Sequence, residues 1–283
     1  MVINMKTRII VDSSADLLPE IKEKVTVVPL IIHFGDEEYA DGVNIDHKKF
    51  YEKLVETDVH PSTSQPSPVA FASEYEKTKE AKEELVVITL SSKLSGTYQS
   101  AKIAAADYDN VYVVDSGTVA TGGGILVELA LKYLEEGFSA KEIAERIEKD
   151  KEKVVLVALL DTLEYLKRGG RISKTVAFAG ALLNIKPVVA VSDGEIKMLG
   201  KARGSKMGNN LLVEEIKKAG GIDFTKPVLL GYSGLSDALL LKYVEDSRYI
   251  WEKGLKEIRY TTIGSAIGTH TGPGAVIVSF FKN

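Results

Sequence analysis

One rhythm constrains this chain more than any other feature. Short apolar runs rich in β-branched residues recur, each followed by small polar residues and then by a segment of helical period. The runs predict strands at Arg8–Val11, Val25–Phe34, Leu85–Thr89, Val111–Val114, Val154–Leu159, Pro187–Val191, Val228–Tyr232, Glu257–Thr261 and Ala275–Phe280. Amphipathic helices are predicted between them, clearest at Gly122–Glu135, where Ile125, Leu126, Leu129, Leu131 and Leu134 make a broad apolar face, and at Ala140–Lys149. Most of the early runs are apolar at odd and even positions alike, so those strands need cover on both sides. That requirement implies a largely parallel sheet between helix layers.

At 283 residues the chain is long enough for two domains of about 150 residues each. The basic, glycine-broken turn Lys167-Arg168-Gly169-Gly170-Arg171 leads into Thr175–Leu183, almost wholly small or apolar, and beyond it strands are fewer and glycines commoner. The expected fold is therefore two-domain α/β: a mostly parallel, Rossmann-like sheet domain over residues 1–158, then an α+β domain with a mixed sheet over residues 159–283.

Several functional classes lack their signatures. With 36 Lys and Arg against 40 Asp and Glu, the net charge of -4 offers no basic field for a nucleic acid. The absence of Cys excludes disulfides, thiolate metal sites and a Cys nucleophile, while His33, His47, His60 and His270 form no His-x-x-x-His or His-x-x-Glu pair, so neither a metal nor a cofactor is implied. No Gly-x-x-x-x-Gly-Lys-Ser/Thr loop is present, and Gly231-Tyr232-Ser233-Gly234 falls one residue short of a nucleophile elbow. No run approaches the roughly 20 apolar residues that span a bilayer, and no apolar core follows the charged start, so a cytoplasmic protein without stable membrane insertion is expected.

The residues just after the strands are rich in hydroxyls: Asp12-Ser13-Ser14-Ala15-Asp16, Ser91-Ser92-Lys93-Leu94-Ser95-Gly96-Thr97 and Asp115-Ser116-Gly117-Thr118. Such residues serve equally as helix N-caps or, on one sheet edge, as a shared polar site. At Ser95-Gly96-Thr97 a glycine permits close approach of a ligand, and the helix beginning there offers free N–H groups to a carboxylate or phosphate. Pro61-Ser62-Thr63-Ser64-Gln65-Pro66-Ser67-Pro68 holds its hydroxyls in a loop stiffened by three prolines. His270 lies in a glycine-rich stretch, Gly264 to Gly274, where core packing explains a histidine poorly; hydrogen bonding to an anion or proton transfer suits it better. No activating partner for the hydroxyls is visible, which favours binding over catalysis.

Taken in order, Val11-Asp12-Ser13-Ser14-Ala15-Asp16-Leu17, Pro61 to Ser67, Leu90 to Ala101, Val114-Asp115-Ser116, Leu163 to Ile172 and His270-Thr271-Gly272-Pro273-Gly274 resemble the marks of the DegV family. The resemblance runs from residue 8 to residue 280. It implies a bacterial fatty-acid-binding protein of two α/β domains with the ligand between them, without catalysis of its own, that presents a long-chain fatty acid such as palmitate to a separate fatty acid kinase. By that likeness Thr63 and Ser95 hold the carboxylate beside the Gly96 N–H, and His270 completes the polar end. Arg171 and Arg203 resemble positions near the head group and the kinase-facing rim. Thr175–Leu183 then suits a slot for the tail, although it reads equally well as an ordinary buried helix. Two other readings of the same residues stand beside this one: a hydrolase or phosphotransferase using Ser95 with His270, and a sugar- or nucleotide-phosphate module built on the three Ser/Asp loops.

Overall fold

The computed structural model of the protein describes residues 6–81, 83–172 and 185–283. In chain order the first half runs β1 (Thr7–Asp12), α1 (Pro19–Lys22), β2 (Thr26–Val28), β3 (Ile31–Phe34), β4 (Glu37–Ala40), α2 (His47–Glu56), β5 (Ser62–Ser64), α3 (Pro68–Ala81), β6 (Glu84–Thr89), α4 (Thr97–Ala104), β7 (Val111–Asp115), α5 (Ala120–Glu135) and α6 (Ala140–Asp150). The second half runs β8 (Val154–Leu159), α7 (Glu164–Arg168), β9 (Ile185–Ser192), β10 (Glu195–Arg203), α8 (Ser205–Lys218), β11 (Leu229–Tyr232), α9 (Ala238–Asp246), α10 (Arg248–Trp251), β12 (Tyr260–Thr262), α11 (Ser265–Thr271) and β13 (Val276–Phe281).

The first sheet is wholly parallel, in the order β2-β1-β6-β7. Alternate residues serve opposite layers, as two apolar faces require. Ile9, Val11, Val86 and Ile88 pack with Ile125, Leu129, Ile143 and Ile147 of α5 and α6, while Ile10, Leu85 and Val87 pack with Phe71 and Tyr75 of α3 and Ala101 of α4. The second sheet is mixed, in the order β10-β9-β8-β13-β11-β12, with only β11 and β12 parallel. One of its faces is closed by α8, α9 and α10 around Trp251 and Tyr243. Its other face, through Leu156, Ala158, Val189 and Ile277, meets Leu90, Val119 and Ala120 of the first half. The two sheets thus share a core, and helix α5 links them directly: Thr121 Oγ1 lies 2.7 Å from Ser279 Oγ of β13.

The two-domain α/β class is as expected, but four details differ. The single strand expected over Val25–Phe34 is two strands in different sheets, β2 and β3. Pro29 between them has no N–H to give a ladder, and the Leu30 N–H donates instead to Ser13 Oγ at 3.0 Å. Ser62–Ser64, read as a loop, is a strand of a small antiparallel sheet, β4-β3-β5, which sets Thr63 opposite Ile32. Glu195–Arg203 forms a strand that apolarity alone did not reveal: it is an edge strand whose outward positions are charged except at Leu199, entered by a turn with Asp193 (φ 53°) and Gly194 (φ 76°) in the left-handed region. Finally, residue 158 falls inside β8, all six residues of which pair with β13 in the second sheet. Thr175–Leu183 lies outside the described residues.

Candidate functional site

A cavity of about 310 Å³ lies where the small sheet, the loop after β6 and helix α11 converge. Thr63, Ser95, Gly96, Arg171 and His270 line it together with Gln65 and the side chains of Leu30, Leu90, Leu94, Leu166, Ile196 and Ile267. Its size is at the lower end of the range for small-molecule sites, and its wall is apolar with a few convergent polar groups.

Each polar group has a local cause. Thr63 is presented by β5, whose pairing with β3 turns Thr63 Oγ1 to within 2.9 Å of His270 Nε2. His270 sits in the last turn of α11, a helix rather than the loop its glycines suggested. Burial and the nearby Arg171 charge push its imidazole from 6.5 down to about 4, so the ring is neutral at neutral pH. Its Nδ1 is buried and has no hydrogen-bond partner among the described residues. A proton there would be an N–H shut away without an acceptor, so the tautomer that avoids this cost carries it on Nε2 and donates to Thr63 Oγ1. The Thr63 O–H is then free to donate into the cavity.

Ser95 and Gly96 line the same cavity. Ser95 Oγ lies 2.9 Å from Thr97 Oγ1 and accepts the Thr97 N–H at 3.3 Å, which holds the hydroxyl at the start of α4. Gly96 occupies the N-cap of that helix, with no side chain capping it. A Cβ at Gly96 would stand 2.1 Å from Gln65 Oε1, so no other residue fits without moving Gln65. Gln65 Nε2 donates to Ser100 Oγ at 2.9 Å, locking the segment after β5 onto the first turn of α4. Arg171 donates from Nε to the Leu94 carbonyl at 3.2 Å and from a terminal nitrogen to the Gly169 carbonyl, which fixes its guanidinium on the cavity wall. The resulting wall of hydroxyl donors, a helix start and a fixed cation suits an anion.

Five of the six residues singled out from the sequence therefore meet at one cavity. Arg203 does not: it stands exposed at the end of β10, away from the lining residues. In the other loops two hydroxyls are spent internally, while Thr118 Oγ1 is buried with no partner among the described residues. Ser14 Oγ donates to Asp12 Oδ1 at 2.5 Å, and Ser116 Oγ donates to the Thr118 carbonyl at 3.1 Å. A larger hollow of about 580 Å³ by the loops after β6 and β7 balances Lys93, Lys151, Lys218 and Lys282 against Asp115, Glu152, Asp193 and Glu215, leaving no net attraction for a phosphate. Gln65 was missed as a site residue, although its signal lay in the Thr-Ser-Gln-Pro block. The apolar lining comes from scattered elements and has no sequence signal. Among the described residues no group of three or more acidic or imidazole side chains is placed to hold a metal.

Comparison with known proteins agrees in extent and in shape. The family profile described as "Uncharacterised protein, DegV family" matches residues 6–283. A DegV domain-containing protein of Caldanaerobacter subterraneus subsp. tengcongensis is 34% identical over 281 residues, covering 97% of this chain and 98% of that protein. One from Deinococcus radiodurans is 34% identical over 282 residues, with coverage of 97% and 98%. Among solved structures, a DegV family protein from Thermus thermophilus described by its fatty acid binding superposes with a TM-score of 0.87 at 31% identity, covering 98% of this chain and all of that one (100%). A DegV family protein from Eubacterium eligens, loaded with heptadecanoic acid, gives 0.85 at 26% identity, with coverage of 98% and 100%. A stearic acid-binding protein from Eubacterium ventriosum gives 0.84 at 28% identity, with coverage of 98% of both chains. With its whole described length matched in sequence and in fold, the chain belongs to the DegV family.

Proposed function

We propose that this protein binds a long-chain fatty acid in the cavity, with the carboxylate held by Thr63, Ser95 and the Gly96 N–H, and presents that carboxylate to a separate fatty acid kinase. The observation that carries the reading is that the neutral His270–Thr63 pair lines one cavity with Ser95, Gly96, Arg171 and a set of Leu, Ile, Val and Ala side chains. Relatives of the same fold carry fatty acids of 17 and 18 carbons, named as heptadecanoic and stearic acid.

The energetics divide the labour. A chain of roughly 14 methylenes, at about 0.8 kcal/mol each, gains on the order of 11 kcal/mol gross before association and ordering costs. A hydrogen bond to a charged group nets only about 1.5–3 kcal/mol. The tail therefore supplies most of the affinity, and the polar wall decides which end enters. Arg203, exposed on β10, suits the rim that meets the kinase better than it suits the head group.

The carrier reading is favoured over a Ser95–His270 hydrolase because each group has a different partner: Ser95 Oγ is held by Thr97, and His270 Nε2 by Thr63. An imidazole pushed down to about 4 is also a weak base at neutral pH. Denaturing extraction of the purified protein followed by mass spectrometry should release a fatty acid. If none is found, and added palmitate produces no thermal shift, the reading is wrong.

A further inference from the structure

The polar wall depends on where α11 puts His270, and the start of that helix is held by acids from the far end of the chain. Asp16 Oδ1 accepts the Gly264 N–H at 2.7 Å; Asp41 Oδ1 accepts the Ser265 N–H at 3.2 Å and its Oδ2 the Ala266 N–H at 3.3 Å. Both acids are buried, each 5% exposed. Three consecutive N–H groups that a helix start leaves unsatisfied are thus met by two carboxylates, which the positive end of the helix also favours. Asp41 directly follows β4, and β4 and β5 flank the same strand, β3. The small sheet therefore touches α11 at both ends: through Asp41 at its start and through Thr63, on His270, at its finish.

We infer that Asp41, with Asp16, is a positioning residue for fatty-acid head-group recognition: by gripping the start of α11 it sets His270 against Thr63 and so fixes the Thr63 hydroxyl as a donor toward the carboxylate. The inference rests on the fatty-acid reading for its ligand but not for its geometry. Neither acid lines the cavity, so their effect on binding passes through the helix. Asp41→Asn keeps the shape but replaces one acceptor with a donor facing an N–H. The first turn of α11 then loses one of its three contacts and gains a donor facing an N–H, and the Thr63–His270 contact loosens while the apolar wall remains.

The test compares two ligands with the same tail, palmitate and hexadecanol, on the intact protein. Asp41→Asn should weaken palmitate binding by about tenfold, the scale of one charge-assisted hydrogen bond, and hexadecanol binding by less than about twofold. On a His270→Ala background, Asp41→Asn should cost palmitate less than about twofold, because the group it positions is already gone. A ligand-free readout runs alongside: the titration of the His270 ring by NMR should move from about 4 toward 6.5 in Asp41→Asn. Asp41 is not among the charges that set that value, so such a shift reports movement of the ring. Equal losses for both ligands, an undiminished loss on the His270→Ala background, or an unmoved titration each overturn the inference. If Asp41→Asn does not fold, Asp16→Ala removes one of the three contacts and leaves Asp41 in place, with the same outcomes expected at smaller size. Should the wild type bind neither ligand, the fatty-acid reading fails, and the NMR titration alone decides whether Asp41 positions His270.

Discussion

At the scale of single residues, the cavity presents neutral donors beside one fixed cation. Ser95→Ala removes a hydroxyl from the polar wall and should weaken palmitate binding by about 1–3 kcal/mol, read by calorimetry; an unchanged affinity would take Ser95 out of the head-group site. His270 makes a prediction about stability. Its folded value of about 4 lies below the ordinary 6.5, so its contribution is present above pH 6.5 and lost as pH falls toward 4, an amount of roughly 3 kcal/mol. Asp12 acts in the opposite sense. Burial raises it from 3.8 to about 6, against the lowering pull of the Ser14 hydroxyl and of the Leu90 N–H at 2.7 Å, so its contribution is present below pH 3.8 and lost as pH rises toward 6. Burial also raises Asp16 and Asp41. His270→Gln deletes the one opposing contribution among these. Urea unfolding should show this variant losing stability between pH 4 and pH 6.5 more steeply than the wild type; parallel profiles would mean that His270 is not held neutral by the fold.

At the scale of elements, glycines set how closely the site's parts approach. A Cβ at Gly268 of α11 would stand 2.5 Å from Tyr51 Oη and 2.7 Å from Phe50 Cε1 of α2, both fully buried. Gly268→Ala should therefore push α11 off α2 and cost about 1–3 kcal/mol of stability, as overpacking does, with a fall in palmitate affinity because His270 moves with the helix. Chemical denaturation and a binding titration check both halves, and a fully stable variant would contradict the packing. The strands of the parallel sheet were legible because their apolar residues occupy both parities, which only a doubly covered sheet explains. The small sheet was not. Its strands are three or four residues long, one is the polar Ser62–Ser64, and each is stabilised by neighbours distant in sequence rather than by its own propensity. Helix α11 was hidden for a related reason: Ser265-Ala266-Ile267-Gly268-Thr269-His270-Thr271 has weak intrinsic preference, and its start is satisfied by Asp16 and Asp41, more than 200 positions away.

At the scale of the whole molecule, the site draws on both halves of the chain. Thr63, Gln65, Ser95 and Gly96 come from the first, Arg171 and His270 from the second, and α5 packs between the two sheets. Glu128 on α5 receives a bidentate pair from Arg259, with both N···O distances 2.7 Å, which ties that helix to the segment entering β12. A ligand that touches both halves binds the folded state alone, so palmitate at a hundred times its dissociation constant should add about 2.7 kcal/mol of stability. That corresponds to a rise in Tm of roughly 4–5 °C for a chain of this size, measurable by differential scanning fluorimetry. A smaller rise in Ser95→Ala, at equal ligand concentration, ties the shift to the polar wall.

The amino-acid sequence by itself determined the alternation of strand and helix and the parallel character of the first sheet, because periodicity is a local property, and its short polar blocks, by their resemblance to a family, pointed to five residues that line the cavity. Only the tertiary structure decided that Thr63 and His270 touch, that Arg203 stands apart, and that Asp41 holds the helix between them. Those facts depend on strand register and on the satisfaction of buried N–H groups by remote acceptors, and neither is written in the spacing of residues along the chain.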